Sequence, residues 1–376
     1  MYVLKFGGKS LATTEMRQLV VNLVQKININ SRIALVCSAI GHTTSELNAA
    51  VELAVKGDSS CHQVVDKVVN AHHFESSERY PQKVLTYLHR LLDDISHKRA
   101  ATEKDRTEIL STGELLSCFL MTRLLIERGI QAHFYDSRRF LVTEGKYHGG
   151  TVLTEMSRKN LNQLLPEGDG KVLVFTGFIA NNRQGETTNL GFNGSDYSAT
   201  LIANFLSAQE VQIWRDQDGI YPVDPAYMPQ SHPIPHLSYE AAQQLATFGN
   251  KAIHHLSIGP LIDKRIPLRF KNIYFPHRPG TLVSSDKINS WGNIAVQFSS
   301  DAPLESQPHK TATIAIISSH PPELIKLSLF LRQAKITPTC FRKRSSAIEI
   351  TIDAHQTQKT VKTLYQALTF NSHCTQ

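Results

Sequence analysis

The sequence predicts an α/β protein, with an open, mostly parallel sheet flanked by helices and a small α+β unit after it. Short apolar runs alternate with longer segments whose apolar residues recur at helical spacing, a pattern typical of βαβ units. Two of the runs lead into glycine, at Gly7 and Gly177, and a third ends at Ser38. Because ligands bind at the carboxyl ends of strands in open sheets, we expect the functional residues at these ends.

The elements of the first part follow from these patterns in order. The run Tyr2–Phe6 is short and apolar, as expected for a buried parallel strand. Helical spacing begins at Thr14, where the chain leaves the first glycine turn. The predicted strands are 2–6, 32–38 and 171–175, and the predicted helices are 14–26, 46–56, 64–95 and 105–128.

The pattern changes after the irregular segment 275–280. Strands are predicted at 311–318, 336–342 and 347–352, and helices at 322–335 and 356–370. This α+β unit is short enough to be a separate module. We therefore predict one domain at residues 1–284 and a second at residues 292–376.

Composition narrows the class of protein. Of the 376 residues 41% are hydrophobic and 19% are charged, as in a globular protein. The sequence contains no run of about 18 apolar residues, so no membrane span is predicted. The start, MYVLKFGG, has no basic region before an apolar stretch, which favours a cytoplasmic location. The net charge of +7 is spread along the chain, so no nucleic-acid partner is predicted. Five scattered cysteines without a Cys-x-x-Cys pair predict neither a disulfide framework nor a zinc site, and no metal-ligating residue is assigned.

Lys5, Gly7 and Gly8 form the first candidate anion site. Paired glycines expose backbone N–H groups, and a neighbouring lysine can neutralise a phosphoryl group. A glycine pair after a strand is also common as a simple turn, and the spacing is not that of a P-loop.

Two later segments leave similar alternatives open. Ser195 and Asp196 precede a helical run, so they are helix-capping residues, part of an anion site at the helix start, or both. Asp216 and Asp218 lie in a glycine-containing loop, where they either orient a nucleotide or close an ordinary turn. The loop resembles a calcium site but lacks its twelfth-position glutamate.

Glu114 and Lys251 are the remaining candidates. Glu114 lies within an otherwise apolar helix, so we expect it to have a specific partner. Lys251 follows Gly249 and is either a phosphate ligand or a solvated lysine.

The order of these motifs resembles that of aspartate kinases in the amino-acid-kinase family. The motifs that carry the resemblance span residues 1–283 and are KFGG, STGELLS, TGFIA, LGFNGSDYSA, IWRDQDGIYPVDP, LSYEAA, FGNKAIHH and PGTLV. The C-terminal unit is similar to a single ACT-type regulatory module, and the family commonly has two. This implies an ACT-like domain and a homodimer or higher homo-oligomer formed through it.

The resemblance also implies an activity: transfer of the γ-phosphoryl group of MgATP to the carboxylate of a small amino acid, with ATP and Mg2+ required. It assigns catalysis to Lys5 and Asp196; substrate binding to Ser38, Thr44, Glu114, Phe192, Gly194 and Ser195; and nucleotide or phosphate binding to Lys5, Gly7, Gly8, Asp216, Asp218, Tyr221 and Lys251.

Several positions depart from the family pattern. Phe192 replaces an arginine that grips the substrate carboxylate, Lys9 replaces threonine, and Ala226 replaces an arginine near the nucleotide. Asn250 and His255 stand where alanine and proline are usual. Three hypotheses follow: an aspartate kinase in which Lys9 or a nearby arginine compensates, a kinase with a changed amino-acid or hydroxy-acid acceptor, and a non-catalytic binding protein.

Overall fold

The structure, a computed structural model, describes residues 1–74, 78–165, 172–223, 225, 228–247, 253–286, 295–299, 311–317, 324–343 and 347–370. Within these residues the elements are, in chain order, β1 (Tyr2–Phe6), α1 (Gly8–Leu11), α2 (Thr14–Asn28), β2 (Ile33–Cys37), α3 (Thr43–Lys56), α4 (Ser60–Asn70), α5 (Arg79–Lys98), α6 (Glu103–Glu127), β3 (Ala132–Tyr135), β4 (Val142–Glu144), β5 (Thr151–Val152), α7 (Thr154–Leu164), β6 (Val172–Thr176), β7 (Ile179–Asn182), β8 (Thr187–Asn189), α8 (Gly194–Phe205), β9 (Glu210–Arg215), β10 (His236–Ser238), α9 (Tyr239–Thr247), α10 (Gly259–Ile262), β11 (Leu268–Asn272), β12 (Thr281–Ser284), β13 (Ala295–Ser299), β14 (Thr311–Ile317), α11 (Leu324–Gln333), β15 (Cys340–Lys343), β16 (Ala347–Asp353) and α12 (Thr357–Phe370). Short 3-10 helices occupy Ser137–Arg139 and Ala354–Gln356.

The chain divides into two compact units. The first comprises Met1–Asp216 and Gly259–Ile266, and the second comprises Gln217–Ile258 and Pro267–Gln376. The predicted domain boundary between residues 284 and 292 remains a prediction, because residues 287–294 lie outside the described part of the chain.

A parallel sheet organises the first unit. Its strands lie in the order β9-β1-β2-β6-β3, and every neighbouring pair is parallel. Strands β2 and β6 are buried along their whole length, as expected where helices cover both faces of a parallel sheet. The predicted α/β fold class, with a large parallel-rich sheet and flanking helices, is confirmed.

Helix α6 is the long core helix of this unit. Thr102 and Asp105 form a reciprocal capping box at its start, which satisfies backbone N–H groups that have no partner within the helix. The helix is long and apolar enough to cross a membrane by length and composition, but 72% of its most apolar window is buried within the protein. That burial is typical of a core helix.

The segment 64–95, predicted to be mostly helical, forms two helices and not one. Two helices, α4 and α5, are separated by residues 71–78, of which 75–77 lie outside the described part of the chain. Val65 and Val68 of α4 pack with Leu88 and Leu92 of α5 in one apolar cluster. Because the apolar spacing continues through both helices, periodicity alone does not locate the break.

A small second sheet in the first unit was not predicted. Its strands lie in the order β5-β4-β7-β8 and are two to four residues long. Strands of this length are too short to give a clear alternating pattern.

The second unit contains two groups of strands. Strand β12 pairs parallel with β10 and antiparallel with β11. An antiparallel sheet in the order β13-β14-β16-β15 carries α11 and α12 and packs Ile314, Ile350, Leu327 and Leu364 into one core. The α+β character predicted for the C-terminal region agrees with these elements, whereas its identity as an ACT-like module remains a prediction.

Candidate active site

A cavity of about 580 Å3 opens at the carboxyl ends of strands β1, β2 and β9. Helices α1, α3, α6 and α8 complete its wall. It is lined by Lys5, Gly7, Gly8, Lys9, Ser10, Ser38, Thr44, Leu110, Glu114, His148, Phe178, Gly191, Phe192, Asn193, Gly194, Ser195, Trp214, Arg215 and Asp216. All of these residues belong to the first compact unit.

Asp196 joins two cations at one side of this cavity. Its Oδ1 lies 2.6 Å from Lys5 Nζ, and its Oδ2 accepts a hydrogen bond from Arg215 Nη2 at 2.6 Å. The Asp196 side chain is 1% exposed, so this is a buried carboxylate shared by two positive groups. Lys5 reaches it from β1, Arg215 from the end of β9 and Asp196 from the first turn of α8.

The electrostatics of Asp196 follow from this arrangement. Burial raises the pKa of its carboxyl, but the charges of Lys5 and Arg215 and their hydrogen bonds outweigh burial, so the net pKa lies below its ordinary value. Asp196 is therefore ionised at neutral pH. Its role as a helix cap, one of the two alternatives left by the sequence, is not the one observed, because Asn193 occupies the capping position and the Asp196 carboxylate faces Lys5 and Arg215.

Glu114 is a second buried carboxylate in the same cavity, on helix α6. The Ala39 N–H donates to its Oε1 at 3.2 Å, whereas its Oε2 has no hydrogen-bond partner among the described residues. Burial raises the pKa of Glu114 to about 8, and the Ala39 N–H and the charge of Lys5 offset only part of that rise. A buried carboxylate oxygen without a partner is costly unless a ligand supplies a donor.

The raised pKa of Glu114 makes stability depend on pH. The unfolded carboxyl ionises near 4.5, so between that pH and about 8 the folded chain holds a proton that the unfolded chain has released. The free energy of unfolding is therefore expected to fall as pH rises through this window. Urea unfolding at pH 5.5, 6.5 and 7.5 measures the slope, and Glu114→Gln should make it shallower because glutamine does not titrate. Parallel pH profiles for the two proteins would contradict this assignment.

Gly113 determines how closely α6 approaches the loop that binds Glu114. A Cβ at this position would lie 2.9 Å from Ala39 Cβ and 2.9 Å from Thr43 Cγ2. The glycine thus permits the approach that brings the Ala39 N–H to the Glu114 carboxylate.

Substitution of Gly113 by alanine is expected to destabilise the protein by about 1–2 kcal/mol, because overpacking outweighs the gain in helix propensity. Thermal unfolding measures the change. Gly259→Ala is the matched control, since a Cβ there meets nothing within 4 Å. Equal melting temperatures for the two variants would show that residues 39–43 relax without cost.

The glycines after β1 differ in what they allow. A Cβ at Gly8 would lie 2.7 Å from the Ala39 carbonyl oxygen, so this position needs glycine for close packing of two loops. A Cβ at Gly7 would lie 3.4 Å from Lys5 Nζ, beside the ammonium group. The bare backbone at Gly7 therefore keeps the space next to Lys5 open.

Phe192 lines the cavity from the loop before α8. Its side chain is 78% exposed, which is unusual for a large aromatic residue. Asn193 follows in the left-handed conformation, with φ 55°, and is the N-cap residue of α8. The aromatic ring at position 192 thus lies at the solvent-facing part of the cavity wall.

Most of the sequence-predicted residues meet in this one cavity. Those that line it are Lys5, Gly7, Gly8, Ser38, Thr44, Glu114, Phe192, Gly194, Ser195 and Asp216, and Asp196 contacts them through Lys5. Tyr221 and Asp218 belong to the second unit, where Asn272 Nδ2 donates to Asp218 at 2.8 Å and Arg278 forms an ion pair with it. Lys251, Ala226 and Asn250 lie outside the described residues. The individual site assignments remain predictions.

Several cavity residues were not predicted. They are Ser10, Leu110, His148, Phe178, Gly191, Asn193, Trp214 and Arg215. Ser10 donates a hydrogen bond to the Trp214 carbonyl at 3.4 Å, which links α1 to β9. Arg215 is the most consequential of them because it contacts Asp196. Its place at the end of a strand, beside Asp216, is the one sequence signal that could have indicated it.

The cavity does not contain a complete protein-held metal site. No group of three or more potential ligands among the described residues is arranged to hold an ion. A Mg2+ ion bound mainly through phosphate oxygens needs only one or two carboxylates. Asp216 fits this need, since it lines the cavity and its side chain is 49% exposed, with Lys9 Nζ 3.4 Å from its Oδ2.

These features define an α/β protein with a cavity at the edge of its parallel sheet, and the wall of this cavity carries the cationic side chains of Lys5 and Arg215. A model of the amino acid kinase family matches residues 1–272. The chain belongs to this family.

Individual relatives give the same result. The chain is 32% identical over 299 residues to the bifunctional aspartokinase/homoserine dehydrogenase of Haemophilus influenzae, covering 76% of this chain and 37% of that protein. It is 32% identical over 297 residues to chloroplastic aspartokinase 1 of Arabidopsis thaliana, covering 76% and 52%. It thus spans about a third to a half of the length of these two relatives.

A solved structure with a similar fold is that of Escherichia coli aspartokinase III in complex with aspartate and ADP. The TM-score is 0.71 at 27% identity, and the match covers 94% of this chain and 78% of that one. The resemblance to aspartate kinases found in the sequence is therefore confirmed, and it extends to the fold.

Proposed function

We propose that this chain transfers the γ-phosphoryl group of MgATP to the carboxylate of a small amino acid, with L-aspartate as the first candidate and 4-phospho-L-aspartate as its product. One observation carries the proposal: a single cavity is lined by Lys5 and Arg215, which share the buried Asp196 carboxylate, and by Glu114, whose Oε2 has no partner among the described residues. The two cations suit phosphate, and the Glu114 carboxylate suits the ammonium group of an amino acid. The named relatives support aspartate.

In the proposed reaction an acceptor carboxylate oxygen attacks the γ-phosphorus. The bond between that phosphorus and its bridging oxygen breaks, and the electron pair leaves with ADP. Lys5, held by Asp196, neutralises charge on the transferring group, while Ser195 and the Gly7 backbone border the same space. Magnesium, held in part by Asp216, would supply further neutralisation of the phosphate oxygens.

Glu114 would select acceptors that carry an ammonium group. In the free chain it holds a proton at neutral pH, because the pKa is raised to about 8. An ammonium donor at Oε2 would favour the ionised form, so binding of an amino acid would release this proton. Ser38 and Thr44 line the cavity on neighbouring elements and would contact the rest of the acceptor.

A second candidate is a changed acceptor, either another small amino acid or a hydroxy acid. Phe192 favours it, because an exposed aromatic ring lines the cavity where the family pattern has an arginine. Such a ring offers apolar contact and no charge-assisted bond to a second carboxylate. Loss of that bond would lower aspartate affinity by about 10- to 100-fold unless another cation replaces it.

The C-terminal region is proposed to be an ACT-like module through which the chain forms a homo-oligomer. The antiparallel sheet with two helices in the second unit supports this arrangement.

The test is a coupled assay of ADP release with the full chain, MgATP and a panel of L-aspartate, related amino acids and hydroxy acids. Hydroxylamine traps an acyl phosphate as a hydroxamate. Hydroxamate from aspartate supports the first candidate, and turnover only with another acceptor supports the second. If a chain that is shown to be folded by its cooperative unfolding transition releases no ADP with any acceptor of the panel, both candidates are overturned.

A further inference from the structure

A second cavity in the first unit, which we call the arginine cavity, has a wall rich in basic residues. Helix α2, the segment after α4 and the end of α6 contribute to this wall, and none of its residues lines the active-site cavity. The titratable residues that line it are Arg17, His72, His73, Arg123, Glu127 and Arg128. Basic groups thus outnumber acidic ones in a cavity that the proposed function does not use.

We propose that the arginine cavity binds inorganic phosphate in its hydrogen phosphate form. Arg17, Arg123 and Arg128 would donate hydrogen bonds to the charged oxygens, and His72 would accept one from the P–O–H group. No residue of this cavity takes part in the proposed phosphoryl transfer, so the inference goes beyond the proposed function.

Arg17 is a buried cation whose charge has no carboxylate partner. It is 4% exposed, and it forms no ion pair with any residue that the structure describes. Its Nη1 donates to the Leu11 and Ala12 carbonyl oxygens at 2.9 and 3.3 Å, and its Nη2 donates to the Thr14 hydroxyl at 3.1 Å. Because buried charges are usually paired with an opposite charge, a bound anion would supply what these neutral acceptors do not.

The pKa of Arg17 reflects the same environment. Burial lowers this pKa, the charge of Glu15 offsets part of the effect, and the charge of Arg123 adds to it. Two guanidinium groups therefore repel each other at this wall. An anion between them would convert that repulsion into two attractive contacts.

Arg123 and Arg128 differ in how much of their charge is compensated. Arg123 Nη1 lies 2.8 Å from Glu78 Oε2, and its Nε lies 3.3 Å from Glu127 Oε1 but makes no aligned hydrogen bond in the described part of the chain. Arg128 directly follows α6 and is exposed, and its side chain has no hydrogen bond or ion pair with a described residue. Arg17 and Arg128 are therefore the cations most available to an anion.

His72 distinguishes hydrogen phosphate from other anions. The ring is 0% exposed, and its Nδ1 lies 2.8 Å from the Val68 carbonyl oxygen, so Nδ1 carries a proton and donates it. Burial lowers the pKa of His72 to about 4, so Nε2 is unprotonated at neutral pH, and it has no hydrogen-bond partner among the described residues. A buried acceptor of this kind needs a donor, which hydrogen phosphate has and sulfate lacks.

The size of the arginine cavity suits a small ion. Its volume is about 170 Å3, which is several times the roughly 30 Å3 that one water molecule takes up in the liquid. Pockets for drug-sized ligands are larger, at roughly 300–1,000 Å3. Val21, Leu120 and Leu124 form an apolar part of the wall, which reduces the screening of the arginine charges. Phosphate monoesters fit less well, because most of them have lost the remaining proton at neutral pH.

The test is calorimetric titration of the full chain with inorganic phosphate at pH 7.5. We expect a Kd of about 0.1–1 mM, as for a few charge-assisted hydrogen bonds set against the cost of immobilising the ion. Arg128→Gln should weaken phosphate binding about 10-fold, and Arg17→Gln should weaken it further. Melting temperatures are recorded as well, since Arg17→Gln also loses its bonds to Leu11 and Ala12, whereas Arg128→Gln removes no internal contact of its side chain.

Two matched controls locate the site. Arg183→Gln removes an exposed arginine that lines neither cavity, and it should leave the phosphate Kd unchanged. Lys5→Gln removes a cation of the active-site cavity, and it should retain the binding event that Arg128→Gln weakens.

Sulfate is the matched probe for His72, because it has the charge and shape of hydrogen phosphate but no proton. It should bind the wild-type chain about 10-fold more weakly than phosphate, which corresponds to one lost hydrogen bond to a buried acceptor. His72→Phe should bring the two affinities closer together, because its ring has no acceptor.

Three results would overturn the proposal. They are the absence of a binding heat with phosphate up to about 10 mM, an unchanged phosphate Kd in a folded Arg128→Gln chain, and equal affinities of the wild-type chain for phosphate and sulfate. Loss of the binding event in Lys5→Gln would likewise refute it, because the phosphate would then lie in the active-site cavity.

Discussion

Replacement of Asp196 by asparagine is expected to lower kcat by about 100- to 1,000-fold and to destabilise the protein by about 3–5 kcal/mol. The carboxylate is buried and lies 2.6 Å from both Lys5 Nζ and Arg215 Nη2. A neutral amide leaves two cations side by side without their shared anion, which carries the cost of a broken buried ion pair. It also removes the anchor that positions Lys5 toward the transferring group. Steady-state turnover and urea unfolding measure the two effects.

Glu78→Gln is the control for this substitution. Glu78 is 16% exposed and forms an ion pair with Arg123 at 2.8 Å, outside the cavity. It should lose some stability while its kcat stays at the wild-type value. An Asp196→Asn protein that retains wild-type turnover would remove Asp196 from the catalytic site.

Replacement of Glu114 by glutamine is expected to raise the KM for L-aspartate by about 10- to 100-fold, because a charge-assisted bond to the ammonium group is lost. The affinity for ADP should stay within about twofold, since Glu114 reaches the cavity from α6 whereas Lys5 and Arg215, the cations nearest the proposed phosphate position, come from β1 and β9. Steady-state kinetics and calorimetry measure the two constants.

Succinate provides the internal control for Glu114. It has the two carboxylates of aspartate but no ammonium group, so the wild-type chain should prefer aspartate and the Glu114→Gln chain should lose most of that preference. If the ratio of kcat/KM for aspartate to kcat/KM for succinate is the same in both proteins, another residue binds the ammonium group.

Much of the site could be predicted from the sequence because its motifs lie next to strand ends. Strands β1, β2 and β6 are short, mostly apolar runs, and Gly7 and Ser38 directly follow β1 and β2. Once the strands are parallel, these ends meet at one edge. Glu114 was recognisable as a charge within an apolar helix, and its burial is what that position predicted.

Arg215 could not be recognised in the same way. Its partner, Asp196, is 19 positions earlier, and only the pairing of β1 with β9 brings the two close to Lys5. A basic residue at the end of a strand is usually solvated, so the residue type alone does not distinguish Arg215. The break between α4 and α5 was missed for a related reason, since the apolar spacing needed for packing two helices together is the same as that of one long helix.

Because Glu114 lies on α6 and Asp196 on α8, acceptor specificity and phosphoryl transfer can evolve separately in such a protein. In the proposed reaction, acceptor preference would depend on residues carried by helices α3 and α6 and by the loop at Phe192, whereas phosphate binding would depend on strand ends and α8. Mutations in the first group can therefore alter which acid is chosen while the transfer chemistry persists. Phe192 is exposed on the cavity wall. A library that varies Thr44, Leu110 and Phe192 should therefore yield active variants with new acceptors more often than one that varies the strand ends.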